Sequence, residues 1–230
     1  MSRSFRSIRR QVDEATGQLV RKTFARRGEA GALRQVQRLI DEQVASLPRE
    51  DRSPVACQAG CDFCCHLRVM ATPVEVFALL DYIQEQFSTQ DRELFEARVL
   101  ELDAQLRELA GEHVLSTNLA CPVLDATGRC RAYAARPLNC RSYHSVSRQA
   151  CEVSFNDPGN MELGHPQYTA VAKVHEGAQG GMIKAFAAQG RDARQYELVS
   201  ALAEALTDSD AKQRYQTGKT AFLKPLPIPN

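Results

Sequence analysis

Four cysteines fall within nine residues, Cys57-Gln58-Ala59-Gly60-Cys61-Asp62-Phe63-Cys64-Cys65, and any fold this chain adopts must accommodate them. A thiolate is the softest ligand a protein owns. Several converging thiolates are best explained by zinc, iron or an iron-sulfur cluster. Cys61, Cys64 and Cys65 stand at i, i+3 and i+4, a spacing that shares one face of a helical turn. Gly60 can supply the bend that lets Cys57 fold back onto the same face. One cysteine alone reads as a small buried hydrophobe, but four together do not. A disulfide framework would need an oxidising compartment and usually a smaller scaffold.

The other four cysteines, Cys121, Cys130, Cys140 and Cys151, are separated by eight, nine and ten residues. These gaps are unlike the C-x2-C pairs of zinc ribbons and fingers, so tertiary structure must position each thiol. Four plus four allows two tetrahedral sites, or one cluster with spare thiols. From Cys121 to Cys151 there are five arginines against one acid, Asp125. A thiolate-rich centre is anionic, so Arg136 or Arg141 is expected beside the thiolates, offsetting their charge. A basic pocket for an anionic substrate and plain surface arginines are the competing readings. His66 and His144 sit near cysteines, yet with eight thiols available they are expected to be packed or exposed rather than ligating.

At 230 residues, 43% apolar and 25% charged, the chain fits one globular domain, 1–230. Lys plus Arg number 29 against 28 Asp plus Glu, so no global field points to nucleic acid or membrane. No apolar run reaches the length of a membrane span and no secretory h-region opens the chain, which reads as cytoplasmic. Phe5, Ile8, Val12, Ala15 and Leu19 mark a helix over 4–26, and Leu33, Val36, Ile40, Val44 and Leu47 a second stripe, giving N-terminal helices over 4–47. Met1 to Arg27 carries eight basic side chains against two acidic. That face is a solvated one, or else a surface for an acidic partner or nucleic acid.

Thr72-Pro73-Val74-Glu75 is a capping box opening a helix to about Phe87. Ser88 and Thr89 can cap a further helix ending near Gly111. Their short connection predicts antiparallel neighbours, the second returning the chain to the cysteines. Asp125 to Gly128 reads as a tight turn, and Pro137 ends any short helix through Tyr133. Thiol-free helices follow over 166–189, 192–206 and 208–216, with Gly177 to Gly181 marking a helix break. An extended tail, 219–230, closes the chain. Gly218-Lys219-Thr220 lacks the glycine a phosphate loop needs at Gln213, and no Ser, His and carboxylate set announces a hydrolase.

Cys57, Cys61, Cys64 and Cys65, then Cys-Pro-x-Leu-Asp from Cys121, Gly-Arg-Cys at Cys130, Tyr133, Arg136-Pro137 and Cys140-Arg141 together resemble the CxxCxxCC family. These are YkgJ-type cysteine-cluster proteins described as zinc- or iron-chelating domains. The resemblance covers roughly 57–151. The first gap here is three residues rather than two, and Ala132 replaces the apolar residue usual before the tyrosine. Relatives in that family include flagellin lysine N-methylases that look like iron-sulfur enzymes. Cys57-x3-Cys61-Asp62-Phe63-Cys64 also resembles the cluster loop of radical SAM enzymes, although the helical periodicity does not match their βα barrel.

The expectation is a mainly α, single helical domain with an irregular cysteine-rich metal-binding centre over 57–151. It binds iron, as an iron-sulfur cluster, slightly ahead of zinc. Cys61, Cys64, Cys65, Cys121, Cys130 and Cys140 are the leading ligands, joined by Cys57 and Cys151. The alternatives are an iron-sulfur-dependent methyltransferase or redox enzyme, and an interaction scaffold with structural zinc.

Overall fold

The computed structural model describes residues 4–109, 111–160 and 162–227. The first helix, α1, runs Phe5–Ala45 and buries Ile8, Val12, Val20, Leu33, Val36 and Ile40 along one side. Helical geometry is interrupted at Gly28, with φ 65° and ψ −169°, so the two expected N-terminal helices are the two halves of a kinked rod. Helix α6, Thr169–Ala188, packs along this rod.

The glycines read as a break in α6 do not break it. A Cβ on Gly177 would lie 2.4 Å from the Arg9 carbonyl oxygen, and one on Gly181 would lie 2.3 Å from the Asp13 carbonyl oxygen. Missing side chains let the two backbones approach, and that tight packing outweighs the poor helix propensity of glycine. Lys184 pairs with Asp13 at 2.7 Å between the same two helices, and Arg191, just past the end of α6, pairs with Glu29.

Helix α2, Pro73–Gln86, begins at the expected capping box. The Thr72 amide and hydroxyl both donate to the Glu75 carboxylate, at 2.8 and 2.7 Å. The other Glu75 oxygen accepts from the Leu138 amide at 2.6 Å in the buried interior. Burial pushes the Glu75 carboxyl above its ordinary range. One carboxylate thus bolts the start of the short helix α4, Leu138–Ser142, to the start of α2.

Helix α3, Thr89–Glu108, is capped by Ser88 as expected. It does not fold back along α2 but packs on α7, Leu198–Thr207. Leu106 of α3 shares a small apolar cluster with Val114, Val199 and Leu226, and Arg107 donates to Ser200 at 2.7 Å and to the Lys224 carbonyl at 2.9 Å. These long-range partners outbid the local hairpin. The Glu204 carboxylate accepts from the amides of Leu223 and Lys224, so the tail is an extended strap pinned as far as Leu226. Residues 228–230 of the expected tail lie outside the described residues.

The remaining elements are α5, Arg148–Asn156, α8, Ala211–Gln216, and two short strands, β1, Met70–Ala71, and β2, Tyr196–Glu197. The strands pair antiparallel with Met70 opposite Glu197. The helix expected over 192–206 begins only at Leu198, because the Asp192 carboxylate holds Arg194, Tyr196 and the Ala221 amide. The fold is mainly α, eight helices and one two-stranded sheet among the described residues. No helix of those residues is long and apolar enough to cross a membrane.

Candidate metal centre

The first cysteine segment is a loop rather than a helix. The Cys61 amide donates to the Gln58 carbonyl at 3.0 Å around Gly60, whose φ is 86°. A single 3-10 turn then spans Phe63–His66. Cys64 and Cys65 lie on that turn and Cys61 precedes it, so the expected helical face does not form. Gly60 does supply the expected bend. Cys57 is fixed from elsewhere: the Ser145 amide donates to its sulfur at 3.3 Å, and the Ala56 amide donates to the Ser145 carbonyl at 2.7 Å.

The second segment is laced to the first by backbone. The Cys121 amide donates to the Cys65 carbonyl at 2.9 Å, and the Leu119 amide to the His66 carbonyl at 3.3 Å. Asp125 accepts from the amides of Thr127 and Arg129, closing the expected tight turn, and Leu124 bridges to Cys130 across it. At its tip Gly128, φ 73°, meets the other loop: a Cβ there would lie 2.8 Å from the Gly60 carbonyl oxygen. The tip of one cysteine segment therefore rests on the bend of the other.

All eight cysteines are free thiols. Cys57, Cys61, Cys64, Cys65, Cys121, Cys130 and Cys140 line one cavity of about 720 Å³. Cys151, on α5, is outside this lining. Cys57 is exposed and the other seven are half-buried. Among the described residues no group of three or more His, Cys, Asp or Glu side chains is placed to hold a metal ion directly. The thiols ring a space rather than converge on a point.

Burial pushes the Cys61, Cys130 and Cys140 thiols up, and Cys121 up to about 12. Cys64 is raised first by its hydrogen bond to the Cys65 sulfur and then by burial. Without a cation these groups are neutral thiols; a bound metal would make thiolates of them. Arg136 lines the cavity and its charge lowers the cost of ionising Cys64, Cys130 and Cys140. Arg141 also lines it, but pairs with Asp41 at 3.4 Å.

Neither histidine is poised as a ligand. Nδ1 of His144 lies 2.9 Å from the Ser142 carbonyl and Nε2 accepts from the Tyr168 amide at 3.0 Å, so both nitrogens are engaged. His66 faces Asp62 at 3.5 Å and the Phe155 ring at 5.0 Å. Sequence reasoning missed Arg68, whose Nη2 donates to the carbonyls of His66 and Leu119 at 2.8 and 2.7 Å. It clamps the two segments beside Cys121, and burial lowers its pKa. Its only signal was position, three residues after Cys65. Tyr143 and Glu197, also in the cavity wall, were missed for want of any local signal.

Fold and site together define a mainly α-helical protein whose two cysteine segments frame one thiol-lined cavity. Residues 56–162 match the family model CxxCxxCC, described as a "putative zinc- or iron-chelating domain", the family whose resemblance the cysteine motifs carry. The match takes in all eight cysteines. No curated protein and no solved structure matches the chain.

Proposed function

We propose that this protein holds iron, as an iron-sulfur cluster, through thiolates from both cysteine segments. The observation that carries the reading is that seven free thiols from the two segments surround one cavity. A single zinc draws four sulfurs to about 2.3 Å, whereas a cluster spreads its ligands over several metal atoms. The open ring of thiols suits the second better. Zinc gains support from the family's description, which names both metals.

Such a cluster would supply one-electron exchange, and the chain's own groups would do the rest. The Ser145 amide donates to the Cys57 sulfur and Arg136 offsets anionic charge, both of which stabilise thiolates. The Cys65 carbonyl and Cys121 amide hold the two halves in register. Cys61, Cys64, Cys65, Cys121, Cys130 and Cys140 are the proposed ligands, with exposed Cys57 and Cys151, which lies outside the cavity lining, as further candidates. A second reading, an iron-sulfur-dependent enzyme like the flagellin lysine N-methylases, is favoured by the cavity being far larger than an ion.

Anaerobic purification followed by elemental analysis and an absorption spectrum tests the proposal. Iron with acid-labile sulfide and a brown chromophore is the expected result. A colourless protein with stoichiometric zinc would replace the cluster with a zinc site. Protein with neither metal would end the reading.

A further inference from the structure

We propose that the thiol-lined cavity also binds a small organic anion, its charged end a carboxylate or phosphate and its body apolar. The inference extends the metal-centre reading, with which it shares one wall. Small-molecule sites span about 300–1,000 Å³, and the whole thiol-lined cavity, about 720 Å³, is larger than a metal centre alone requires. A metal held by sulfur needs no apolar floor. This cavity has one, built by Val69, Leu79, Val123, Leu198 and Val199, all buried.

Two cations face the same space. Arg136 donates through Nε to the Tyr133 carbonyl at 3.3 Å and lies 3.6 Å over that ring's centroid. Among the described residues, no protein group accepts from either of its terminal nitrogens. Arg68 spends Nη2 on the two loop carbonyls and leaves Nη1 without a partner among those residues. The acid in the lining is Glu197, whose carboxylate accepts from the Ser200 amide at 2.8 Å and whose charge acts on Arg68, leaving Arg136 as the cation with no acid partner in the lining. Arg141 takes no part, because Asp41 neutralises it. A guanidinium fork with free donors above an apolar floor recognises an anionic head on an apolar body.

The test is isothermal titration of the anaerobically purified full-length protein, carrying its metal, with octanoate, octyl phosphate and uncharged 1-octanol. One anion should bind per chain, about tenfold or more tighter than octanol, the worth of one charge-assisted hydrogen bond. Whichever of octanoate and octyl phosphate binds tighter names the head group. Arg136→Gln should weaken the anion by about tenfold and leave octanol unchanged, with Arg136→Lys recovering part of the loss. Arg68→Gln is the less clean variant, since Arg68 also clamps the loops. Octanol binding as tightly as both anions, no anion binding, or an unchanged affinity in a folded Arg136→Gln protein would overturn the inference. Metal content retained without anion binding sinks this inference alone. Anion binding by a protein that takes up neither iron nor zinc supports it while removing the metal reading.

Discussion

Gly60 and Gly128 meet where the two cysteine segments touch, and each needs a backbone conformation that other residues rarely adopt. Gly128→Ala would place a methyl 2.8 Å from the Gly60 carbonyl oxygen at a φ of 73°. We expect a loss of about 2 kcal/mol, read as a lowered denaturation midpoint, together with reduced metal content. At the same scale the raised thiols give metal uptake a pH dependence. Burial keeps Cys61, Cys121, Cys130 and Cys140 protonated in metal-free protein, so each ligand gives up a proton on binding. Zinc affinity of the metal-free protein, measured by competition with a chromophoric chelator, should rise with pH between about 6.5 and 8 by more than tenfold per unit. The cysteines were legible because their chemistry is written in their side chains. Arg68 and the second bond of Glu75 were not, because both depend on carbonyls and amides supplied by distant chain.

Among the elements, α1 and α6 carry the tightest packing, and there the sequence pattern misleads. Gly177 and Gly181 lie four apart, a spacing equally suited to a break or to a close helix crossing, and only the partner decides. With the Asp13 carbonyl oxygen 2.3 Å from a Gly181 Cβ, Gly181→Ala must push the helices apart. The gain of about 1 kcal/mol in helix propensity is outweighed, and a net loss of about 2 kcal/mol is expected by urea denaturation. Gly159→Ala, with open space around it, should change stability by less than about 0.5 kcal/mol. The capping box at Thr72, the Ser88 cap and the Asp125 turn were readable because each closes within four residues. The α3 and α7 pairing was not, since a short loop argues for neighbours and cannot see the apolar cluster with Leu226.

For the whole molecule, α6 also carries a buried acid-sensitive group. Burial, then the charges of His144, Arg141 and Arg136, lower the pKa of His175 from 6.5 to about 4. A depressed folded-state value means His175 is neutral in the native protein and protonates more readily when unfolded. The stability linked to it is full above pH 6.5 and is lost as pH falls through 4, up to about 3 kcal/mol. The pH dependence of the urea midpoint over that window should be shallower in His175→Leu than in the native protein. The mainly α class was legible from periodicity alone, while the cavity was not, because its walls come from α2, α7 and both cysteine loops.

Whether thiols from both segments serve one centre is tested directly by paired single variants. Metal per chain would be measured, with the absorption spectrum, in anaerobically purified native, Cys64→Ser and Cys130→Ser proteins. Loss of most of the same metal complement and chromophore in both variants is expected. Either variant folding with its full complement and an unchanged spectrum would contradict the shared centre.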